Sequence, residues 1–145
     1  MKKYLFISIK EQYVNRIFDG TKQIELRKSR PNVNMGDHVI IYCTSPVKAI
    51  VGVAKVEAII AHTPQQMWKL HSKRLGIERR DYFNYYEDVD KAIGIVLSDV
   101  EKLSYEICLS HIKEQLPKFS PPQTYKYFMN FIPPEESLDL RLVLQ

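Results

Sequence analysis

The longest apolar segments of the chain predict β-strands, and their order along the sequence limits the folds that the chain can adopt. Residues 38–45 (HVIIYCTS) and 48–62 (KAIVGVAKVEAIIAH) are rich in β-branched residues, which favour strands. Residues 4–9 (YLFISI) and 92–104 predict two further strands. Helical periodicity follows the first strand but does not alternate regularly with the later ones. The chain therefore lacks the βαβ alternation of a doubly wound fold, and we predict an α+β domain with a mixed or antiparallel sheet curled into a small β-barrel.

Helical signals place helices at the ends of this barrel and one helical insertion between two of its strands. Thr63 suits the N-cap position and Pro64 the first helical position of the insertion. Apolar residues at helical spacing and a following glycine predict the other helices. The predicted helices cover residues 10–20, 63–76, 77–91 and 110–116, and a last short one begins at Pro122 and carries Tyr125, Tyr127, Phe128 and Phe131.

The size and composition of the chain are those of one globular domain. Its 145 residues, of which 45% are hydrophobic and 26% charged, are enough to bury a core without disulfides or metals. We therefore predict a single domain over residues 1–145. The net charge of +4 gives a mild bias toward polyanions, although many small proteins are slightly basic.

The two cysteines and the N-terminal segment predict a cytoplasmic protein. Cys43 and Cys108 are far apart and both have apolar neighbours, which is typical of buried free thiols in a reducing compartment. The apolar segment 4–9 is too short for a signal peptide or a membrane span. We expect no membrane association.

The sequence predicts no metal site and no cofactor. Its four histidines are scattered, and Cys108 and His111 have helical spacing without further ligands. The five glycines are isolated, so no glycine-rich phosphate-binding loop is present.

The charged segment 20–31 (GTKQIELRKSRP) carries the main functional signal. In a strand, Ile24 and Leu26 face the core while Glu25 and Arg27 face the other way. Those two side chains start about 7 Å apart, so both can reach one ligand. An arginine presents a planar fork to phosphate or carboxylate, and a glutamate can hold that fork or accept from a base amino group. The alternative is a solvated strand face with a weak ion pair, worth at most about 1 kcal/mol.

Four motifs in order resemble one known family. The first strand ends at SIK, a helix follows, and then come G-x-K-x-x-E-x-R-K-x-R-P (20–31), GDHVIIYCTSPVKAIVGVAKV (36–56) and PPQTYKYF (121–128). Together they resemble the ASCH domain, a family of PUA-like β-barrels, over nearly the whole chain. The resemblance is strongest to members described as RNA-binding proteins or transcriptional regulators.

The resemblance implies a polar cleft beside the barrel that binds RNA or a nucleotide-like ligand, with a regulatory role in transcription or translation. The G-x-K-x-x-E-x-R segment would line this cleft between the barrel and the first helix. The implied site residues are Lys22, Glu25 and Arg27 on the strand, Lys10, Ser45 and Lys48 at the rim, and Gln123 and Tyr125 in the late motif.

Two enzymatic alternatives come from other branches of the family. One branch resembles an N4-acetylcytidine amidohydrolase with a lysine and a threonine three residues apart. Lys22 matches the lysine, but Glu25 occupies the threonine position, so the proposed nucleophile is missing. Lys22 and Glu25 remain candidate catalytic residues because a carboxylate can activate water. The other branch is described as ribonucleases, in which Glu25 would act as base while Lys22 and Arg27 stabilise charge.

The helical insertion offers two weaker hypotheses. Residues 69–80 (KLHSKRLGIERR) are basic and could contact phosphates beside the pocket, but a solvated helical surface is the favoured interpretation. The aromatic residues of segment 77–91 could instead form a protein-docking face.

Overall fold

The computed structural model describes residues 3–123 and 125–129, which form a six-stranded sheet with four α-helices packed around it. A 3₁₀ turn, Ser72–Arg74, follows the second helix. The strands are β1 (Lys3–Ile9), β2 (Ile24–Arg27), β3 (His38–Cys43), β4 (Ala49–His62), β5 (Ala92–Cys108) and β6 (Tyr125–Met129). The helices are α1 (Glu11–Asp19), α2 (Pro64–His71), α3 (Arg79–Tyr85) and α4 (Leu109–Gln115).

The sheet is mixed and has the strand order β2-β5-β4-β3-β1-β6. β1 pairs with β3 in parallel, and the other neighbouring strands pair in antiparallel fashion. The long strands β4 and β5 shift register at several positions, and such bulges bend strands and increase their twist. The sheet thereby curves into a half-barrel, which confirms the predicted α+β fold with a mixed sheet.

Local sequence signals explain where the main helices begin and end. Val14 and Ile17 bury one face of α1 against the sheet, and Gly20 ends the helix in the left-handed conformation with φ of 88°. The Thr63 side chain accepts a hydrogen bond from the backbone N–H of Gln66 and so caps α2, as predicted. These two helices bring the charged segment and the insertion to the same end of the sheet.

Three groups of buried residues hold the sheet and helices together. One lies between one face of the sheet and α1, and it includes Leu5, Ile41 and Ile95. Another packs the opposite face against α4. The third, which contains Ile24, Leu26 and the fully buried Tyr82, joins β2 to the insertion. The insertion is therefore packed on the charged strand β2.

Several predicted elements differ from the observed ones. The helix predicted from Pro122 is wrong, because residues 125–129 form strand β6 and pair with β1. The helices predicted over 63–76 and 77–91 are shorter, since α2 ends at His71 and α3 spans only Arg79–Tyr85. Phe131 and the tail that we expected to close the sheet lie outside the described residues.

One of the two thiols also differs from its predicted environment. Cys43 is buried, as expected, but Cys108 is exposed because it directly precedes α4 at the surface. Of the helices described in the structure, none is long and apolar enough to cross a bilayer.

Candidate functional site

An open polar cleft lies between the end of β1, strand β2, the start of α1 and helix α3. Its volume is about 840 Å³, within the range of pockets that bind small molecules and nucleotides. Ser8, Lys22, Glu25, Arg27 and Tyr85 are among the residues that line it. The predicted side of β2 therefore faces a shared cavity and not a solvated surface.

Glu25 is the centre of a buried charge network in this cleft. Its Oε2 accepts a hydrogen bond from Arg27 Nη2 at 3.0 Å, and its Oε1 lies 3.6 Å from Lys22 Nζ. The backbone N–H of Leu26 also donates to Oε1, at 3.2 Å. Since the Glu25 side chain is only 9% exposed, these donors replace most of its water. Its two oxygens are thus committed to holding neighbouring groups.

Lys22 is the most deeply buried of the three charged residues, with 2% of its side chain exposed. Its Nζ donates to the carbonyl oxygen of Leu75 at 2.8 Å and lies 5.3 Å from the ring centre of Tyr13. Burial lowers the pKa of this amine below that of an ordinary lysine, although the Glu25 carboxylate opposes the change. The lysine therefore joins β2 and α1 to the insertion.

The contact between Lys22 and the insertion depends on Gly76. This glycine has φ of 57°, and a Cβ at its position would collide with the Lys22 side chain. Its carbonyl oxygen accepts a hydrogen bond from Arg16 Nη1 at 2.8 Å. Gly76 thus lets the insertion approach close enough to complete the cleft.

Arg27 is the residue of this network with an unused donor. Its Nη2 donates to the Ser8 carbonyl oxygen at 3.1 Å and to Glu25, which fixes the guanidinium in place. The Tyr86 hydroxyl donates to the Arg27 carbonyl oxygen at 2.9 Å and holds the backbone. Among the described residues, Arg27 Nε is buried and has no hydrogen-bond partner. A buried donor without a partner is costly, so the network that lines the cleft retains one unsatisfied hydrogen-bond donor.

Helix α3 forms the wall opposite β2. Asp81, Asn84 and Tyr85 line the cleft from this helix, while Tyr82 and Tyr86 are buried beneath it. Tyr85 is 37% exposed, and Lys28 Nζ lies 4.6 Å from the centre of its ring. The Tyr85 hydroxyl donates to the Leu26 carbonyl oxygen at 3.5 Å, and burial raises the pKa of this hydroxyl. The wall thus offers an aromatic surface with hydrogen-bonding groups on either side.

Sequence reasoning missed this wall because it considered only the buried side of the helix. Helical spacing puts Tyr82, Phe83 and Tyr86 on one apolar stripe of this segment, and Tyr82 and Tyr86 are indeed buried while Phe83 is partly buried. Residues 81, 84 and 85 fall beside that stripe at helical spacing. Their polar and aromatic character was the available signal, but only the docking of the insertion on β2 shows where they point.

The other predicted site residues divide into three groups. Lys10 and Gln123 line the cleft together with the β2 residues, and the Ser8 hydroxyl donates to the Pro122 carbonyl oxygen at 2.6 Å, which holds the late motif at the rim. Ser45 and Lys48 are exposed and do not line the cleft, because the turn after β3 carries them away from it. Tyr125 lies on β6, but its side chain is outside the described residues.

Two threonines differ in their relation to the cleft. Thr44 lines the cleft, whereas Thr21 is exposed and donates its hydroxyl to Asp19. Over residues 3–123 and 125–129, no group of three or more His, Cys, Asp or Glu side chains is arranged to hold a metal ion.

Comparison with known proteins identifies close relatives of this chain. A Zymomonas mobilis protein named "ASCH domain-containing ribonuclease" is 29% identical over 123 residues, which are 85% of this chain and 82% of the relative. The crystal structure of ASCH from Zymomonas mobilis is similar with a TM-score of 0.82 and 28% identity, over 88% of each chain. A segment of large ribosomal subunit protein uL22 from Ureaplasma parvum is 31% identical over 93 residues, but this is only 30% of that protein.

Comparison with models of protein families identifies the family to which the chain belongs. The model of the ASCH domain matches residues 7–104, which include the end of β1, strands β2 to β4, the insertion and most of β5. The match contains every β2 residue of the charge network and the α3 wall of the cleft. The chain therefore belongs to the ASCH domain family, whose members have a PUA-like fold.

Proposed function

We propose that the cleft binds an unpaired nucleotide of RNA and that Arg27 is its main anchor. The observation that carries the proposal is the buried Nε of Arg27, which has no partner among the described residues and belongs to a guanidinium already fixed by Ser8 and Glu25. A guanidinium held in this way has little conformational entropy to lose on binding. It can donate to a phosphate oxygen or to a base acceptor.

The charges around the cleft favour an anionic ligand that also carries hydrogen-bond donors. Lys10 and Lys28 are exposed at the rim and add positive charge beside Arg27. Glu25 is neutralised by its own partners, and Asp81 is the exposed carboxylate on the α3 wall. A nucleotide fits this pattern, because its phosphate can face the lysines while a base amino group donates to Asp81.

Aromatic side chains supply a surface for the base. Tyr13 from α1 and Tyr85 from α3 both line the cleft and are partly exposed. Stacking of a base on an aromatic ring contributes about 1–3 kcal/mol and is tolerant of sequence. A single-stranded ligand is favoured because bases in a duplex are not free to enter such a cleft.

The Zymomonas mobilis relative supports RNA as the ligand class, because it is named a ribonuclease and it matches 85% of this chain. RNA cleavage is therefore the second candidate function. In that case Arg27 and Lys22 would stabilise the charge that develops on the phosphate. Glu25 is better suited to position those two cations than to take a proton. Both its oxygens already accept hydrogen bonds, and one of them also forms an ion pair with Lys22.

Binding of a short fluorescent single-stranded RNA, measured by anisotropy over a range of salt concentrations, tests the first proposal. We expect Arg27→Ala to weaken binding at least about tenfold, since a hydrogen bond to a charged group contributes about 1.5–3 kcal/mol. Arg27→Lys should bind RNA almost as weakly as Arg27→Ala, because lysine lacks the planar fork of arginine. Lys113→Ala removes one positive charge from exposed α4 and is the matched control. Equal binding by Arg27→Ala and the control would contradict the proposal.

Incubation with labelled RNA and with N4-acetylcytidine separates binding from catalysis. We expect no release of acetate, because Glu25 occupies the position of the family's threonine, and cleavage of the RNA would support the second candidate function. Glu25→Gln is the control, used at a temperature where circular dichroism shows that it is folded. Release of acetate by the wild type but not by Glu25→Gln would overturn the assignment to RNA. A regulatory role in transcription or translation stays a prediction.

A further inference from the structure

We propose that a second hollow beside the cleft binds the neighbouring nucleotide of the same RNA strand. This hollow has a volume of about 620 Å³ and is lined by Gln65, Arg79, Arg80, Phe83 and Asn84. The proposal rests on the function proposed above and extends it, since it makes the binding unit more than one nucleotide long.

The two sites are continuous through one residue of α3. Asn84 lines both the cleft and the second hollow. Asp81 and Tyr85 extend from the same helix into the cleft, whereas Arg79, Arg80 and Phe83 line the hollow. A strand that leaves the cleft past Asn84 therefore enters the hollow directly.

Phe83 forms a fixed aromatic platform in the hollow. Its ring centre lies 5.0 Å from that of Tyr82 and 5.9 Å from that of Trp68, so neighbouring rings hold it from below. The guanidinium carbon of Arg79 lies over the Phe83 ring, 5.1 Å from its centre. An arginine held over an aromatic ring presents its outer planar face and its N–H donors together, which suits a base and its phosphate.

Neither arginine of the hollow is neutralised by the rest of the described chain. Over residues 3–123 and 125–129, neither Arg79 nor Arg80 lies within ion-pair distance of a carboxylate, and both are exposed. The adjacent Glu78 lies 4.0 Å from Arg16 instead. Two unpaired cations next to an aromatic ring form a binding surface for a polyanion with bases, not only a solvated helix.

The experiment compares ligands of different length on matched variants. The two probes are uridine 5′-monophosphate and fluorescent hexauridylate. Binding of the monophosphate is measured by NMR, and binding of hexauridylate is measured by fluorescence anisotropy at several salt concentrations. The variants are Arg80→Ala, Phe83→Leu, Arg27→Ala and the control Lys113→Ala. Phe83→Leu keeps apolar contact with Trp68 and Tyr82 while removing the aromatic surface.

We expect hexauridylate to bind the wild type more tightly than the monophosphate. Phe83→Leu should weaken the binding of hexauridylate at least about fivefold, which is the lower end expected for loss of one stacked base. The affinity for the monophosphate should not change. Arg80→Ala should lower the salt slope for hexauridylate by about 0.7, as loss of one phosphate contact to a single strand does. Arg27→Ala should weaken both probes.

Other results would contradict either the second hollow or the proposed function of the cleft. If the monophosphate and hexauridylate both bind but Phe83→Leu and Arg80→Ala match the control, the second hollow is not used and the cleft stands alone. If Phe83→Leu weakened the binding of both probes equally, the variant would be disturbing the cleft. The proposal that the hollow binds a nucleotide would again be refuted. If neither probe binds the wild type, the proposed function fails and takes this inference with it.

Discussion

The charge network of Lys22, Glu25 and Arg27 makes its strongest prediction about stability. Glu25→Gln keeps the size and shape of the side chain but removes the charge that the two cations share. The side chains of Lys22, Glu25 and Arg27 are 2%, 9% and 13% exposed. Removing one partner of a buried ion pair typically costs about 3–5 kcal/mol, because the other charge stays buried without compensation. We therefore expect Glu25→Gln to lower the free energy of unfolding by about 3 kcal/mol at neutral pH.

A loss of that size is easily measured. It corresponds to a fall in the melting temperature of about 6–12 °C for a domain of this length. Urea unfolding followed by circular dichroism gives the free energy directly, provided that the slope with denaturant is unchanged. Glu114→Gln is the control, because Glu114 is exposed and its pairing with His111 at 3.5 Å should contribute less than about 1 kcal/mol.

The pH dependence of the loss provides a second check. Burial lowers the pKa of Lys22 in the folded protein, so the unfolded state binds more protons between the folded and unfolded pKa values. The burial penalty is fully present below the folded pKa and disappears as pH rises through this window. Without the Glu25 carboxylate, which raises the pKa of Lys22, the amine should release its proton at lower pH. The destabilisation by Glu25→Gln should therefore shrink as the pH is raised from neutral toward the ordinary pKa of a lysine.

A small loss of unfolding free energy that does not change with pH would refute this reasoning. If Glu25→Gln and Glu114→Gln both cost less than about 1 kcal/mol at every pH, the network behaves as a solvated ion pair. The cleft would then not be a desolvated site.

Three further predictions test the walls of the cleft and the environments of the thiols. Gly76→Ala should lower the free energy of unfolding by about 2 kcal/mol in urea unfolding, because φ is 57° and a Cβ would collide with Lys22; an unchanged midpoint would contradict the close packing. Tyr86→Phe should cost about 1 kcal/mol by the same assay, since it removes the hydrogen bond that the hydroxyl donates to the backbone of β2 at 2.9 Å. Burial raises the pKa of Cys43 to about 11, while the pKa of exposed Cys108 is lowered by hydrogen bonds, so a thiol reagent at about pH 8 should modify Cys108 in the native protein and Cys43 only after unfolding. Equal rates for both thiols would be inconsistent with this structure.

The part of the site that lies on one strand could be predicted from the sequence. Alternation along β2 places Glu25 and Arg27 on the same side, and the structure puts both in the cleft. Lys22 precedes the strand, so alternation does not place it. Its position comes from the bridge that it forms with Leu75 across fifty-three residues of sequence.

The parts that depend on contacts between distant segments could not be predicted in this way. Ser45 and Lys48 follow β3 in sequence, but the turn there directs them away from the cleft. The aromatic segment after Pro122 suits a helix or a strand by composition, and pairing with β1 decides in favour of a strand. Asp81, Asn84 and Tyr85 reach the cleft only because the insertion docks on β2.

The most direct test of the account is NMR observation of the Arg27 side chain during titration with RNA. Because Nε of Arg27 is buried without a partner among the described residues, its N–H signal should report the arrival of an acceptor. With arginine labelled at nitrogen, we expect the Arg27 Nε–H resonance, assigned from Arg27→Lys, to shift and saturate as single-stranded RNA is added. The Arg74 resonance, whose Nε already donates to Gln23 at 2.9 Å, should not move. Saturable RNA binding with an unmoved Arg27 resonance would contradict the central claim.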